Sequence, residues 1–176
     1  MIFVGGIHGS GKTHFCEEVN KLIKIPSYSA SSMIAERKKI IFPSNKLISG
    51  IDDNQAYLIS AIEELRLSSN RFLLDGHFCL LDNSGQVTRI NKNTFINIAP
   101  EGILVITESP NVISERIIAR DGVRKDISEI TVFQNEEIDY AQELAAEMNI
   151  PIAIVAGENR LIDGCDFITR VMEVDR

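Results

Sequence analysis

One segment near the start of the chain restricts its fold more than any other. Residues 6–13 read Gly-Ile-His-Gly-Ser-Gly-Lys-Thr, which matches the pattern G-x-x-x-x-G-K-[ST] in full. The apolar run Ile2–Val4 predicts a buried strand before it, and apolar residues at helical spacing in Ser10–Ile23 predict a helix after it. A strand, a glycine-rich turn and a helix in this order form the context in which the pattern binds phosphate groups.

The residue types of this loop suit a nucleoside triphosphate. Gly9, Ser10 and Gly11 let backbone N–H groups curl around phosphate oxygens at the N-terminus of a helix, whose dipole favours negative charge. We expect Lys12 to reach the β- and γ-phosphates of ATP, and the hydroxyl of Thr13 to bind Mg²⁺. The strand and helix on either side disfavour the alternative, a glycine-rich turn that binds nothing.

An acidic strand end supports the same site. Phe72–Leu74 predicts a buried strand, and Asp75 follows it as the expected second support for magnesium. Gly76 stands where motor and transporter ATPases commonly carry a water-activating glutamate, and the sequence has no Asn-Lys-x-Asp guanine motif. These features favour phosphoryl transfer to an acceptor over hydrolysis or GTP switching. An ordinary strand-end carboxylate is the alternative for Asp75.

Three arginines form a further group. Arg116, Arg120 and Arg124 are four residues apart and would share one side of a continuous helix. Mobile arginines can neutralise a migrating phosphoryl group and help to exclude water, so we predict that these three are catalytic. The polar stretch 119–128 then predicts a short lid. A solvated helix end with salt bridges is the alternative.

Strands and helices alternate along the rest of the chain, which predicts an α/β protein with a parallel sheet covered on both faces. Further buried strands are expected at 103–106 and 151–155, and a hairpin is expected across 78–90. The 176 residues contain no internal repeat or linker, so we predict one domain over 1–176.

The composition limits which binding partners and which cellular compartment are expected. The net charge of −7 argues against a general nucleic-acid binder. Residues 1–50 carry seven basic and three acidic groups, so an anionic ligand is expected near the N-terminal third. We expect no membrane span, no signal peptide and no disulfide framework, because no apolar run is long enough and the three cysteines form no CxxC pair. A cytoplasmic location is therefore predicted.

In this combination and order, the features resemble the nucleoside monophosphate kinases, and among them most of all the archaeal-type adenylate kinases and their small eukaryotic nuclear relatives. The resemblance covers nearly the whole chain, and its more specific part runs from residue 75 to residue 126. The matching positions there are Asp75-Gly76-His77 at the strand end, Ser84-Gly85 in the hairpin turn, Pro100 before the next strand, and Arg116, Arg120-Asp121 and Arg124-Lys125-Asp126 in the lid.

This resemblance implies a three-layer P-loop kinase fold. Its core would be a five-stranded parallel sheet in the order 2-3-1-4-5, flanked by helices, with a short hairpin and a small lid. It also implies ATP and Mg²⁺ as cofactors, an acceptor site beside them, backbone around the adenine near Gly157, and a homo-oligomer such as a trimer.

The acceptor region departs from the adenylate kinase pattern. Many of those enzymes hold the acceptor phosphate with two arginines, one of them near the start of the second helix. Here residues 29–35 read Ser-Ala-Ser-Ser-Met-Ile-Ala, without an arginine. The other arginine follows the strand-end Asp-Gly in the bacterial type, and His77 stands at that point instead.

We predict an acceptor-binding segment at 27–53, in which Arg37 takes the acceptor phosphate and Ser31 or Ser32, with Ser32 preferred, hydrogen-bonds it. Asp75 and His77 at the strand end are the other expected acceptor contacts. A solvated basic helix end is the alternative for Arg37, and a histidine that packs the strand end is the alternative for His77.

These features predict an ATP-dependent kinase of a small acceptor, above all of a nucleoside monophosphate. Two other functions stay open at this point. One is a nucleotide-binding regulatory protein that hydrolyses ATP slowly and signals to a partner. The other is a kinase of a sugar-like alcohol or of a polynucleotide end, and the net charge of −7 counts against the polynucleotide.

Overall fold

The computed structural model describes residues 1–41, 51–69, 71–82 and 84–173, and residues 42–50 of the predicted acceptor segment lie outside these ranges. The strands are β1 (Ile2–Gly5), β2 (Ser27–Ser29), β3 (Leu73–Asp75), β4 (Cys79–Leu81), β5 (Val87–Arg89), β6 (Gly102–Ile106) and β7 (Ile152–Val155). The helices are α1 (Lys12–Ile23), α2 (Ala30–Ile41), α3 (Ile51–Ser68), α4 (Lys92–Ile98), α5 (Pro110–Asp121), α6 (Ile127–Met148) and α7 (Arg160–Met172).

Five strands form a parallel sheet in the order β2-β3-β1-β6-β7, and β4 pairs with β5 in a separate antiparallel hairpin. β1 lies at the centre, where Ile2 pairs with Leu73 on one side and with Gly102 on the other. If the two hairpin strands are left out of the numbering, the order of the five sheet strands is 2-3-1-4-5, as predicted. The predicted fold class is confirmed.

The apolar runs of the central strands are buried on both faces of the sheet, as parallel strands between two helical layers require. Successive side chains of a strand point to opposite faces. Accordingly, Ile2 and Val4 belong to one core cluster with Phe15 of α1, whereas Phe3 belongs to the other with Phe95 of α4. The carboxyl end of β1 is thereby held in place from both sides.

The helix that carries Arg116 and Arg120 ends before Arg124. Ser109 caps the start of α5, and Gly122 ends it in the left-handed conformation, with its N–H bonded to the carbonyl of Ile118 at 2.9 Å. Asp126 then caps α6, so Arg124 lies in a connection rather than on a continuous helix. The condition for one arginine face over 116–124, a continuous helix, is therefore not met, and the catalytic roles of the three arginines stay predictions.

No helix within the described residues is long and apolar enough to cross a membrane. The hairpin formed by β4 and β5 packs beside α6, and its turn contains Gly85 in a left-handed conformation. It therefore forms a wall next to the carboxyl end of β3 rather than an extension of the main sheet.

Candidate nucleotide and acceptor site

The glycine-rich loop follows the central strand and turns directly into α1. Gly6 has a φ of 138°, and a Cβ there would lie 2.4 Å from the carbonyl oxygen of Ile106, so only glycine fits. Gly11 has a φ of 97° and caps α1 without a side chain. The buried hydroxyl of Ser10 has no hydrogen-bond partner. The open helix start and this unpaired hydroxyl fit an anionic ligand in the loop.

Lys12 folds back over the loop. Its Nζ donates to the carbonyl oxygen of Gly6 at 2.6 Å and lies 3.4 Å from that of Ile7, and only 7% of the residue is exposed. Burial lowers the pKa of Lys12, while the carboxylates of Asp75 and Glu137 act in the opposite direction. A desolvated ammonium group therefore lies at the place where phosphate oxygens would bind.

Thr13 and Asp75 meet at the edge of this loop. The Thr13 hydroxyl donates to Oδ2 of Asp75 at 3.2 Å. Burial raises the pKa of Asp75, and Lys12 and the Thr13 hydrogen bond oppose the rise. The described residues contain no cluster of three or more His, Cys, Asp or Glu that could hold a metal. Two hard oxygen ligands of this kind fit Mg²⁺, which commonly completes its shell with water and phosphate oxygens.

A pair of arginines faces the loop from the opposite side. Arg116 of α5 donates to the carbonyl oxygens of Gly9 and Ser10 at 3.0 and 3.3 Å. Glu108 accepts from Arg116 and from Arg160, both at 3.3 Å. A Cβ on Gly11 would lie within 3.7 Å of both guanidinium groups. Two cations from separate helices therefore flank the start of α1.

Arg160 was not predicted from the sequence to be a site residue, although the sequence contains a signal for it. It is the first residue of α7, where a cation opposes the helix dipole and is therefore unfavourable without a partner. Gly157, expected to lie near the adenine, has a φ of 65° and open space around it, three residues before Arg160. This turn lies on the arginine side of the loop, but its contact with adenine stays a prediction.

The other two arginines of the predicted group make no hydrogen bond to the loop among the described residues, but Arg120 lines a cavity together with Ile7 and His8 of the loop. Arg120 is exposed and pairs with the neighbouring Asp121. Arg124 lines a surface pocket with Asn111 and Asp126, on a different side of α5. Of the three, Arg116 is the one with hydrogen bonds to the phosphate loop among the described residues, and the turn at Gly122 leads the chain away before Arg124.

A cavity of about 420 Å³ adjoins Lys12, Thr13 and Asp75. The carboxyl ends of β2 and β3, the helices α2, α3 and α4, and the hairpin build its wall. Its apolar lining consists of Phe3, Ala30, Ile34, Leu58, Leu80, Ile90, Phe95 and Ile98, and its uncharged polar lining includes Ser29, Ser31, Asn54, Gln55 and Thr94. Among the described residues, Asp75 is the one carboxylate of this lining and Lys12 the one lysine or arginine.

Two histidines close one end of the cavity. The rings of His8 and His77 lie 4.4 Å apart between centroids. Burial, with the charge of Lys12 adding to it, lowers the pKa of His77 to about 3. Burial and Lys12 also lower the pKa of His8, so both rings are neutral at pH 7. His8 in addition lines a second cavity of about 620 Å³ between the hairpin and the ends of α5 and α6.

Two predicted acceptor residues lie elsewhere. Arg37 donates to the carbonyl oxygen of Ser60 at 3.1 Å and forms an ion pair with Glu64, so it is turned onto α3 and away from the cavity. Ser31 lines the cavity, whereas Ser32 does not. The expectation that Arg37 and Ser32 face the acceptor is corrected by this packing of α2 against α3.

One buried carboxylate was not anticipated. Glu137 of α6 is fully buried and accepts hydrogen bonds from the backbone of Gly6, Phe78 and Cys79. It lies seven residues from both Ile130 and Leu144 on the buried face of the helix. A charged residue within an apolar helical stripe was the available signal.

The parallel sheet, the phosphate loop and the adjoining cavity define a P-loop kinase fold. A family model named AAA_17 and described as an AAA domain matches residues 5–134, from the loop into α6, and the chain belongs to this family. The broad assignment to the P-loop kinase superfamily is thereby confirmed, whereas membership of the archaeal-type adenylate kinases is not.

Two solved structures are similar in fold. A gluconokinase from Sinorhizobium meliloti 1021 has 20% identity and a TM-score of 0.55, over 98% of this chain and 93% of that chain. An uncharacterized protein from Eubacterium ventriosum ATCC 27560 has 13% identity and a TM-score of 0.53, over 98% and 97% of the two chains. A comparison with curated proteins finds no match.

Proposed function

We propose that the protein transfers the γ-phosphoryl group of ATP, with Mg²⁺, to a small acceptor bound in the cavity beside β3. One observation carries the proposal: Lys12, Thr13 and Asp75 belong both to the phosphate site and to the cavity wall. A γ-phosphate held by the loop would therefore face whatever the cavity binds. The similarity in fold to a gluconokinase also supports a small-molecule kinase.

The roles of the residues follow from their positions. The loop backbone would bind the phosphates, Lys12 would neutralise the transferring group, and Arg116 and Arg160 would contact the nucleotide from the other side. Mg²⁺ held by Thr13 and Asp75 would neutralise charge on the phosphate oxygens. As the acceptor oxygen bonds to phosphorus, the bond from phosphorus to the ADP oxygen breaks, and the acceptor proton would pass to Asp75, the one cavity carboxylate among the described residues, through the carboxylate oxygen that does not hold Mg²⁺. The protein thus acts mainly by positioning and charge.

The charges of the cavity favour an uncharged hydroxyl compound, such as a sugar-like alcohol or a nucleoside, as the acceptor. An acceptor phosphate would meet the Asp75 carboxylate, two neutral histidines and, among the described residues, Lys12 as the one lysine or arginine. Burying an unpaired dianion there would be costly. A nucleoside monophosphate, which the sequence resemblance implies, is the second candidate.

The test is ADP production from MgATP with single acceptors. The panel consists of the nucleoside monophosphates, the corresponding nucleosides, and neutral sugars and polyols, with gluconate included as an anionic alcohol. Lys12→Ala protein serves as the control, because loss of the loop lysine should abolish real transfer. Stimulation by an uncharged compound supports the preferred acceptor class, and stimulation by a monophosphate supports the second candidate.

A uniformly slow rate that depends on Lys12 but on no acceptor would reject the kinase proposal. The regulatory function would then be favoured, in which ATP occupancy is signalled to a protein partner. Measuring MgADP binding by calorimetry alongside the assay separates this result from a simple failure to bind nucleotide.

A further inference from the structure

Glu137 lies on the apolar face of α6, where packing alone would require no polar side chain, yet its carboxylate accepts several hydrogen bonds. Its side chain is 0% exposed, yet it carries a carboxylate. Oε1 accepts from the N–H of Gly6 at 3.0 Å and of Phe78 at 2.9 Å, and Oε2 accepts from the N–H of Cys79 at 2.7 Å. The three charge-assisted hydrogen bonds that this side chain accepts offset part of the cost of its burial.

The three donors belong to two parts of the proposed site. Gly6 begins the phosphate loop, and its own carbonyl oxygen accepts from Lys12 at 2.6 Å. Phe78 and Cys79 follow His77 and lead from the end of β3 into the hairpin, which forms part of the acceptor cavity wall. The carboxylate therefore bridges segments that are more than 70 residues apart in the chain.

Neighbouring contacts extend this bridge to the functional side chains. Nδ1 of His77 lies 3.9 Å from Oε1 of Glu137, and the His77 ring packs on His8 of the loop. Burial raises the pKa of Glu137, whereas its three N–H donors and Lys12 act against the rise. The three donors and the nearby ammonium group favour the charged form and offset part of the effect of burial, although the net direction of the pKa is upward.

We propose that Glu137 is a positioning residue that locks the start of the phosphate loop to the acceptor wall, so that nucleotide binding is transmitted to residues 78 and 79. The proposal rests on the proposed function, since it treats the two segments as the two substrate sites. A lock of this kind holds the loop in its binding shape before the ligand arrives, which lowers the cost of binding.

Two substitutions of Glu137 distinguish a positioning role of its side chain from an effect of its charge alone. Glu137→Asp keeps the charge but is one methylene too short to reach all three donors. Glu137→Gln keeps the size, but its amide NH₂ would oppose a backbone N–H. Loss of the charge beside Lys12 would by itself strengthen phosphate binding. If Glu137 positions the loop, both variants should bind MgADP at least tenfold more weakly than the wild type, measured by calorimetry.

Glu136→Asp and Glu136→Gln are the matched controls, because Glu136 is the preceding residue and pairs with Arg89 at the surface. These controls should bind MgADP within about twofold of the wild type. If Glu137→Gln instead binds more tightly and Glu137→Asp is unchanged, Glu137 acts through its charge alone and the positioning proposal is rejected. Thermal unfolding of all five proteins shows whether each variant is folded.

Hydrogen exchange of the wild-type protein provides a test that needs no variant. On addition of MgADP, the amides of Gly6, Phe78 and Cys79 should gain protection together, as followed by NMR. Protection of Gly6 alone would overturn the proposed transmission even though nucleotide binds. If the wild type does not bind MgADP at all, the proposed function fails instead, so the two failures are distinguishable.

Discussion

Arg116 donates from Nη1 to the carbonyl oxygen of Gly9 at 3.0 Å, so α5 contacts the phosphate loop directly. Arg124, eight residues later, lines a different pocket. We therefore expect Arg116→Ala to lower phosphoryl transfer about 100-fold, as loss of a charge-stabilising donor commonly does. Arg124→Ala should keep the rate within about twofold, because its guanidinium lies outside the site. Steady-state ADP release from MgATP measures both.

The opposite ranking of these two variants would show that the chain between α5 and α6 rearranges on binding and brings Arg124 to the phosphates. Arg160→Ala belongs in the same experiment. Because Glu108 pairs with both Arg116 and Arg160, loss of either arginine leaves the carboxylate one partner. The double variant removes both of these partners, so it should cost more than the sum of the single effects in free energy.

The hydroxyl of Thr13 should set the magnesium requirement. Thr13→Val removes the group that contacts Asp75 while keeping the shape of the side chain. We expect this variant to need about tenfold more Mg²⁺ for half-maximal turnover, since one oxygen ligand is lost. Thr13→Ser keeps a hydroxyl and should remain near the wild type. A titration of Mg²⁺ at fixed ATP gives the values, and equal requirements for Val and Ser would contradict the assignment.

Two glycines should differ in their tolerance of alanine. A Cβ on Gly164 would lie 2.4 Å from Cζ of Phe15, whereas a Cβ on Gly85 would meet nothing within 4 Å. Overpacking should make Gly164→Ala about 2 kcal/mol less stable, despite the better helix propensity of alanine. Gly85→Ala should lose about 1 kcal/mol, because its φ of 80° is unfavourable with a Cβ.

Urea unfolding monitored by circular dichroism checks both glycine variants. An increase in the stability of Gly164→Ala would mean that α7 shifts to relieve the contact and that propensity decides the outcome.

The cysteines should react at very different rates. Burial raises the pKa of Cys16 and of Cys79 to about 12 each, so roughly one thiol in 10⁴ is a thiolate at pH 8. Cys165 is half-buried. Iodoacetamide at pH 8 should therefore modify Cys165 first, as read by mass spectrometry of peptides. Because a raised pKa delays ionisation, any slow labelling of the other two should rise about tenfold per pH unit.

Labelling in urea is the control for this experiment, because unfolding should make all three thiols react alike. Fast modification of Cys16 in the folded protein would show that α1 opens locally near the phosphate loop.

The sequence predicted those parts of the protein that depend on local patterns. The loop and its flanking elements follow from glycine spacing and short apolar runs, and the hairpin follows from the turn at Gly85. The strand-end position of Asp75 was predictable because a buried run precedes it. Asp75 lies 3.2 Å from Thr13, which is 62 residues away in the chain. The proximity of these two residues was predictable from the phosphate-loop motif and not from local propensity.

The remaining site residues depend on packing between distant elements. Arg37 is turned away by Glu64 of α3, and Glu137 finds its donors in segments 58 to 131 residues away. No periodicity encodes such partners. Arg124 is different, because the Asp-Gly pair at 121–122 marks the helix end in the sequence, and the regular arginine spacing carries no meaning beyond it. The predicted trimer stays a prediction.

His8 belongs to the walls of both large cavities, and its ring rests on His77. It occupies a variable position of the glycine-rich motif, so the motif itself does not require a histidine there. A small residue in its place would let the two spaces open into each other. The residue at this position therefore bears on the space available beside the phosphate loop, and substitutions here are a route by which the size of the accepted molecule could change without loss of the loop motif.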